Sequence, residues 1–138
     1  MGIIVKEADV IYGEHPPGSL QRLSVDFSRA VRCWALVRFA RSGLDSSAVS
    51  QLYRSGTSVG ANVREAQYAE SKKDFIHKLK IAEKELGEFF FWFGLIKSDQ
   101  SEAEDEATKS MIETAGQVRR LLIAIIVKAK QNINNPTK

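Results

Sequence analysis

The sequence predicts an all-α fold, four amphipathic helices packed lengthwise as an antiparallel up-and-down bundle. Three observations predict it. Apolar residues recur at alternating steps of three and four along four separate runs, the seam of helices lying side by side. Capping residues stand at the heads of those runs. The connections are short, which makes consecutive helices antiparallel neighbours.

Residues 1–19 stand apart from this pattern. Ile3-Ile4-Val5 and Val10-Ile11-Tyr12 favour extended backbone, and His15-Pro16-Pro17-Gly18 interrupts regular structure. The stretch reads as an arm. The bundle is expected over 20–131 and a polar tail over 132–138.

The first helix is expected from about Leu23 to Arg41, with Leu23, Phe27, Ala30, Trp34 and Val37 on its seam. Arg22, Arg29 and Arg32 share one arc, while Arg38 and Arg41 point elsewhere. Such an arc suits phosphate groups, and it equally suits a solvated helix face. Asp45 or Ser46 then caps a second helix over about Ser47 to Tyr68. Its seam is Val49, Leu52, Gly56, Val59, Val63 and Ala66. Each glycine inside a helix costs about 1 kcal/mol relative to alanine, so Gly56 and Gly60 imply that another helix comes close.

The third helix, Ser71 to Ser98, starts at a capping-box-like pair, Ser71 and Asp74. Phe75, Leu79, Ala82, Leu86, Phe89, Phe93 and Ile96 form its seam. Its second half, from Phe89 to Ile96, is apolar around the whole circumference, so its back must be covered as well as its front. Gly87 and Gly94 lie seven apart, off the seam, where a second helix from this chain or another copy can pack. Ser101 and Glu104 repeat the capping spacing ahead of a fourth helix over about Glu102 to Gln131. Its seam is Met111, Ala115, Val118, Leu122, Ile125 and Ala129, and Leu121 to Val127 is apolar on every face. Antiparallel packing is expected to set the two all-round apolar stretches at opposite ends of the bundle. Their outward residues Phe90, Phe91, Trp92, Leu95, Ile123 and Ile126 are the expected surface for self-association.

Composition narrows the function. The net charge of +3 over 138 residues permits nucleic-acid binding without demanding it. One cysteine, Cys33, leaves no intrachain disulfide and fits a reducing compartment; with no histidine beside it in sequence, it reads as a buried apolar thiol rather than a nucleophile. Met1 is not followed by a secretory leader pattern, and the longest apolar runs fall short of a membrane span. A cytoplasmic location and no membrane partner are expected.

Catalytic patterns are scarce. Asp74 and His77 make one Asp-x-x-His, and a carboxylate-bridged metal bundle needs two such pairs on separate helices. Neither a phosphate-binding loop nor a dinucleotide fingerprint occurs. No catalytic residue, metal or cofactor is expected. Ser55, Ser58, Asn62 and Glu65 step along the second helix beside its seam, with Glu85 and Glu88 on the third. They are expected to form a structural polar network, with Ser58, Asn62, Glu65 and Glu88 at its centre. An enzyme built on Asn62, Glu65 and Glu88 is the weakest of the competing readings.

The run Gln51-Leu52-Tyr53-Arg54-Ser55-Gly56-Thr57-Ser58-Val59-Gly60-Ala61-Asn62-Val63-Arg64-Glu65-Ala66 carries a resemblance. With Ser71, Phe75, Leu79, Ile81-Ala82 and Glu88, it resembles the four-helix bundle proteins encoded in intervening sequences of bacterial 23S ribosomal RNA genes. The chain is also similar to the accessory proteins of diversity-generating retroelements. The resemblance implies a ring of bundles, a homopentamer, that binds RNA or DNA, with a reverse transcriptase as a further partner. Arg22, Arg29, Arg32, Arg54, Arg64, Lys72, Lys73, Arg119 and Arg120 are the candidate nucleic-acid ligands. The alternative is a scaffold that binds protein alone.

Overall fold

In a computed structural model of the chain, residues 15–41, 45–98 and 105–134 are described. The arm before His15, the Ser101–Glu104 pair and the end of the tail lie outside them. The described residues form four helices and no strand: α1 (Leu20–Phe39), α2 (Ser46–Ala66), α3 (Lys72–Ser98) and α4 (Glu106–Asn134). Each helix packs on two neighbours, α1 on α2 and α4, and α3 on α2 and α4. The diagonal pair α1 and α3 meets only through side chains at the centre. There Phe27 stands edge-on to Phe89, with ring centroids 4.9 Å apart.

Local chemistry sets the helix ends. Pro17 and Gly18 make a tight turn closed by the Ser19 amide donating to the Pro16 carbonyl at 3.2 Å. Gly18 takes φ 84°, the left-handed conformation that a type II turn needs at this place. The turn delivers Ser19 as the cap of α1, its hydroxyl accepting from the Arg22 amide. The helix therefore begins three residues before the predicted Leu23. Asp45 caps α2 as expected, accepting from the amides of Ser47 and Ala48. Ser71 accepts from the Asp74 amide, while the Asp74 carboxylate accepts from the Glu70 amide. That is a capping box with its return bond displaced by one residue. Asp105 caps α4, accepting from the Thr108 amide at 2.8 Å, so the helix starts later than predicted and runs on to Asn134.

Every seam position predicted on α2 is buried, and so are Leu79, Ala82, Leu86, Phe89 and Ile96 of α3. The buried face of α1 is rotated from the predicted one. It holds Leu20, Ser24, Phe27, Val31, Trp34 and Ala35, while Val37 is 57% exposed. The reason lies in α2. A Cβ on Gly60 would meet the Ser28 hydroxyl and, at 3.1 Å, the Ser24 carbonyl. A Cβ on Gly56 would meet the two methyls of Val31 at 2.7 and 2.9 Å. The two glycines thus draw the Ser24, Ser28 and Val31 side of α1 against α2, whatever its polarity. Both serines satisfy their hydroxyls on their own helix, donating to the carbonyls of Gln21 and Ser24.

Candidate nucleic-acid interface

Eight of the nine basic candidates fall into three environments. On α1, Arg29 and Arg32 are exposed, and Arg22 is half-buried, its guanidinium donating to the His15 carbonyl at 3.3 Å. On α4, Arg119 and Arg120 are exposed, with the Arg119 guanidinium 5.9 Å from the centre of the Phe90 ring. Arg64 in the last turn of α2 and Lys72 and Lys73 at the start of α3 are exposed at one end of the bundle.

Arg54 differs from the rest. It reaches across from α2 to α3, donating to Glu85 at 3.3 Å and to Glu88, so two carboxylates already meet its charge. The Arg54 guanidinium, with a lesser contribution from the Trp92 indole, holds the Glu88 carboxyl below the usual carboxylate range. Trp92 Nε1 donates to the same carboxylate at 3.4 Å. Glu65 is not part of this group, because it pairs with Lys78 at 3.0 Å. Ser58 donates to the Arg54 carbonyl, and Asn62 to the Ser58 carbonyl, both on their own helix. The predicted network of Ser58, Asn62, Glu65 and Glu88 is therefore two separate α2–α3 ion-pair groups beside intrahelical bonds. Asp74 and His77 build nothing together, since Asp74 closes the first turn of α3 and His77 is exposed.

A polar knot ties the end of α1 to the start of α4. Trp34 is 4% exposed and donates its indole N–H to the Thr108 hydroxyl at 3.1 Å. The Arg38 guanidinium lies 4.2 Å over the Trp34 ring and donates to the same hydroxyl at 3.4 Å. Asp105 sits 3.8 Å from Arg38. Hydrogen bonds from the Thr108 hydroxyl and amide hold the Asp105 carboxyl below its ordinary range.

The outward apolar surface is partly as predicted. Phe91 is 59% exposed, Leu95 and Ile123 are exposed, and Phe90 and Trp92 are half-buried. Ile126 is corrected: it is 3% exposed and belongs to the core, and its neighbour Val127 is the outward residue. Met111, Ala115, Val118 and Leu122 of the predicted α4 seam are buried, and only beyond Leu122 does the face shift, with Ile126 buried where Ile125 was expected. The two apolar stretches are not at opposite ends either. Phe90 and Ile123 line one groove of about 390 Å³ between α3 and α4, together with Leu86 and Gly87. Cys33 is exposed rather than buried, because the rotation of α1 turns it outward.

One feature was not legible in the sequence. A cleft of about 670 Å³ opens at the end of the bundle where α2 gives way to α3. Its walls come from the start of α1, the ends of α2 and α4, the start of α3 and His15. His15 Nε2 lies 2.9 Å from the Gln67 side-chain oxygen, which folds the chain before α1 over this end. The Pro-Pro-Gly turn was the one signal for it.

The sequence profile of the 23S rRNA-intervening sequence proteins matches residues 21–124. The chain belongs to that family. The match takes in all nine basic candidates, from Arg22 to Arg120. A crystal structure of a protein of unknown function from the S23 ribosomal protein family of Bacteroides thetaiotaomicron is similar to it. That protein is 32% identical, with a TM-score of 0.71, and the alignment covers 78% of this chain and 98% of the other. No curated protein matches the chain. Among the described residues, no helix is long and apolar enough to cross a membrane.

Proposed function

We propose that this member of the family is a non-enzymatic, homo-oligomeric accessory protein, a ring of antiparallel bundles that binds RNA through its basic surface. Antiparallel order is supported by the pairing of Val31 with Gly56 and Ser28 with Gly60, and of Arg54 with Glu88 and Glu65 with Lys78. In each case rising positions on one helix meet falling positions on the next.

One observation carries the assembly. Gly87, Phe91, Gly94 and Leu95 fall on one stripe of α3, and a Cβ on either glycine would meet nothing within 4 Å among the described residues. Two large apolar side chains and two bare backbone patches therefore face outward together, beside the groove floored by Leu86 and Phe90. A second copy suits this face: its own Phe91 and Leu95 can fill the groove, and the glycines let its helix approach closely. The homopentamer is the assembly that the family resemblance implies. RNA binding rests on the exposed Arg29, Arg32, Arg64, Lys72, Lys73, Arg119 and Arg120, and on the ribosomal RNA genes in the family's description.

Light scattering in line with gel filtration, read at 260 and 280 nm, tests both halves. The expected mass is several times the 15.4 kDa chain, and Phe91→Glu should bring it down to a single chain. RNA affinity should fall with salt at a log–log slope of about −0.7 per phosphate contacted. A monomer at high concentration removes the ring. No RNA binding at about 50 mM salt, where such contacts are strong, leaves the protein-scaffold reading in its place.

A further inference from the structure

The cleft where α2 gives way to α3 has the chemistry of a nucleotide site. Its volume of about 670 Å³ is in the range of small-ligand sites, which are typically about 300–1,000 Å³. The floor is apolar and includes the aromatic ring of Phe75. Three carboxamides, Gln21, Gln67 and Asn132, reach it from three different helix ends. A carboxamide offers a donor and an acceptor side by side, the pattern displayed by base edges. Lys72 supplies a cation at the rim. Among the described residues, no carboxylate lines the cleft. The imidazole of His15 closes one side through its bond to Gln67.

The surroundings point the same way. Arg22 adjoins Gln21, Arg64 lies three residues before Gln67, and Lys73 follows Lys72. Four of the nine basic candidates thus gather about this end of the bundle.

We propose that the cleft binds one unstacked nucleotide, its base against Phe75 and the carboxamides and its phosphate at Lys72. This rests on the RNA reading above and adds a place and a chemical class to it. RNA sequence is read mainly in single strands, whose bases can be splayed onto aromatic rings and hydrogen-bonded along their edges. A duplex keeps its bases stacked and can use only the basic surface. The nucleotide is either free or part of a strand, and the test separates the two.

The full chain is titrated at low salt with a single-stranded RNA 12-mer, a blunt RNA duplex of the same length and adenosine 5′-monophosphate. The same titrations are run on the double variant Gln67→Ala, Asn132→Ala. Both residues are exposed, so the fold should stand. The expected result is at least a tenfold loss of single-strand affinity with duplex affinity and salt slope unchanged, since neither carboxamide contacts phosphate charge. Adenosine monophosphate that competes with the strand shows that a free nucleotide also fits, and failure to compete assigns the cleft to a strand. Equal affinities of variant and parent for the single strand and for adenosine monophosphate overturn the cleft while leaving RNA binding intact. Equal losses for single strand and duplex overturn it too, because the residues would then act on the general surface. Binding of none of the three ligands by the parent protein overturns the RNA reading itself.

Discussion

Replacing Gly56 with alanine should loosen the contact between α1 and α2, and the size of the effect can be worked from the geometry. The new methyl would sit 2.7 and 2.9 Å from the two methyls of Val31 and 3.3 Å from the Phe89 ring. Carbon atoms prefer about 3.5–4.0 Å. Val31 is fully buried and stiff at χ1, so it cannot turn away freely. The helices must part by several tenths of an ångström. Overpacking of this kind costs about 1–3 kcal/mol, and alanine returns about 1 kcal/mol of helix propensity. The net loss is about 0–2 kcal/mol. Gly116→Ala isolates the packing part, because its methyl would meet only the Arg120 guanidinium, at 3.5 Å. The propensity gain is common to both variants, so their difference should be about 1–3 kcal/mol in urea unfolding at one protein concentration. Shortening Val31 to alanine in the Gly56→Ala background should relieve the clash, with a coupling of about 0.5–3 kcal/mol. If Gly56→Ala is as stable as Gly116→Ala, the close approach of α1 to α2 is wrong.

Other perturbations test other parts. Gly94→Ala should stabilise the separated chain by up to about 1 kcal/mol while reducing the assembly mass, which urea unfolding and light scattering read independently. Thr108→Val should cost about 1–3 kcal/mol in urea unfolding because it strands the buried Trp34 N–H, and Thr108→Ser should keep most of that stability. Glu88 and Asp105 both have folded pKa values below the ordinary range. A carboxylate depressed in this way stabilises the fold above its unfolded pKa and loses that contribution as pH falls through the folded one. Urea midpoints should therefore drop between about pH 5 and pH 2, and Glu88→Gln should flatten part of the drop.

The core was legible where burial and polarity agree. On α2 the predicted seam is the buried one because Val49, Leu52, Val59 and Val63 are apolar and the gaps are filled by small residues. On α1 the two disagree. Ser24 is 1% exposed and Val37 largely exposed, because the surface offered by Gly56 and Gly60 selects side chains by size rather than polarity. Cys33 follows the same rotation outward. The Trp34–Thr108 bond joins residues 74 apart in sequence, and no local pattern could connect them. The end cleft was hidden for a similar reason, since His15, Gln21, Gln67 and Asn132 come from distant parts of the chain.

Glycines show most directly what a single sequence leaves open. Gly56 and Gly60 on α2, four apart, and Gly87 and Gly94 on α3, seven apart, carry the same propensity penalty, and each pair shares one helix face. A local pattern cannot say which face each pair serves. The structure separates them, because the first pair receives α1 and the second faces away from every described residue. A penalty of about 1 kcal/mol per glycine on α2 is offset inside the chain by tight packing against Val31 and Ser28. On α3 no such contact among the described residues offsets it, while Phe91 and Leu95 on the same stripe add exposed apolar area. Association with another copy would relieve both deficits at one surface, so the glycine lane is a stronger argument for assembly than the number of phenylalanines.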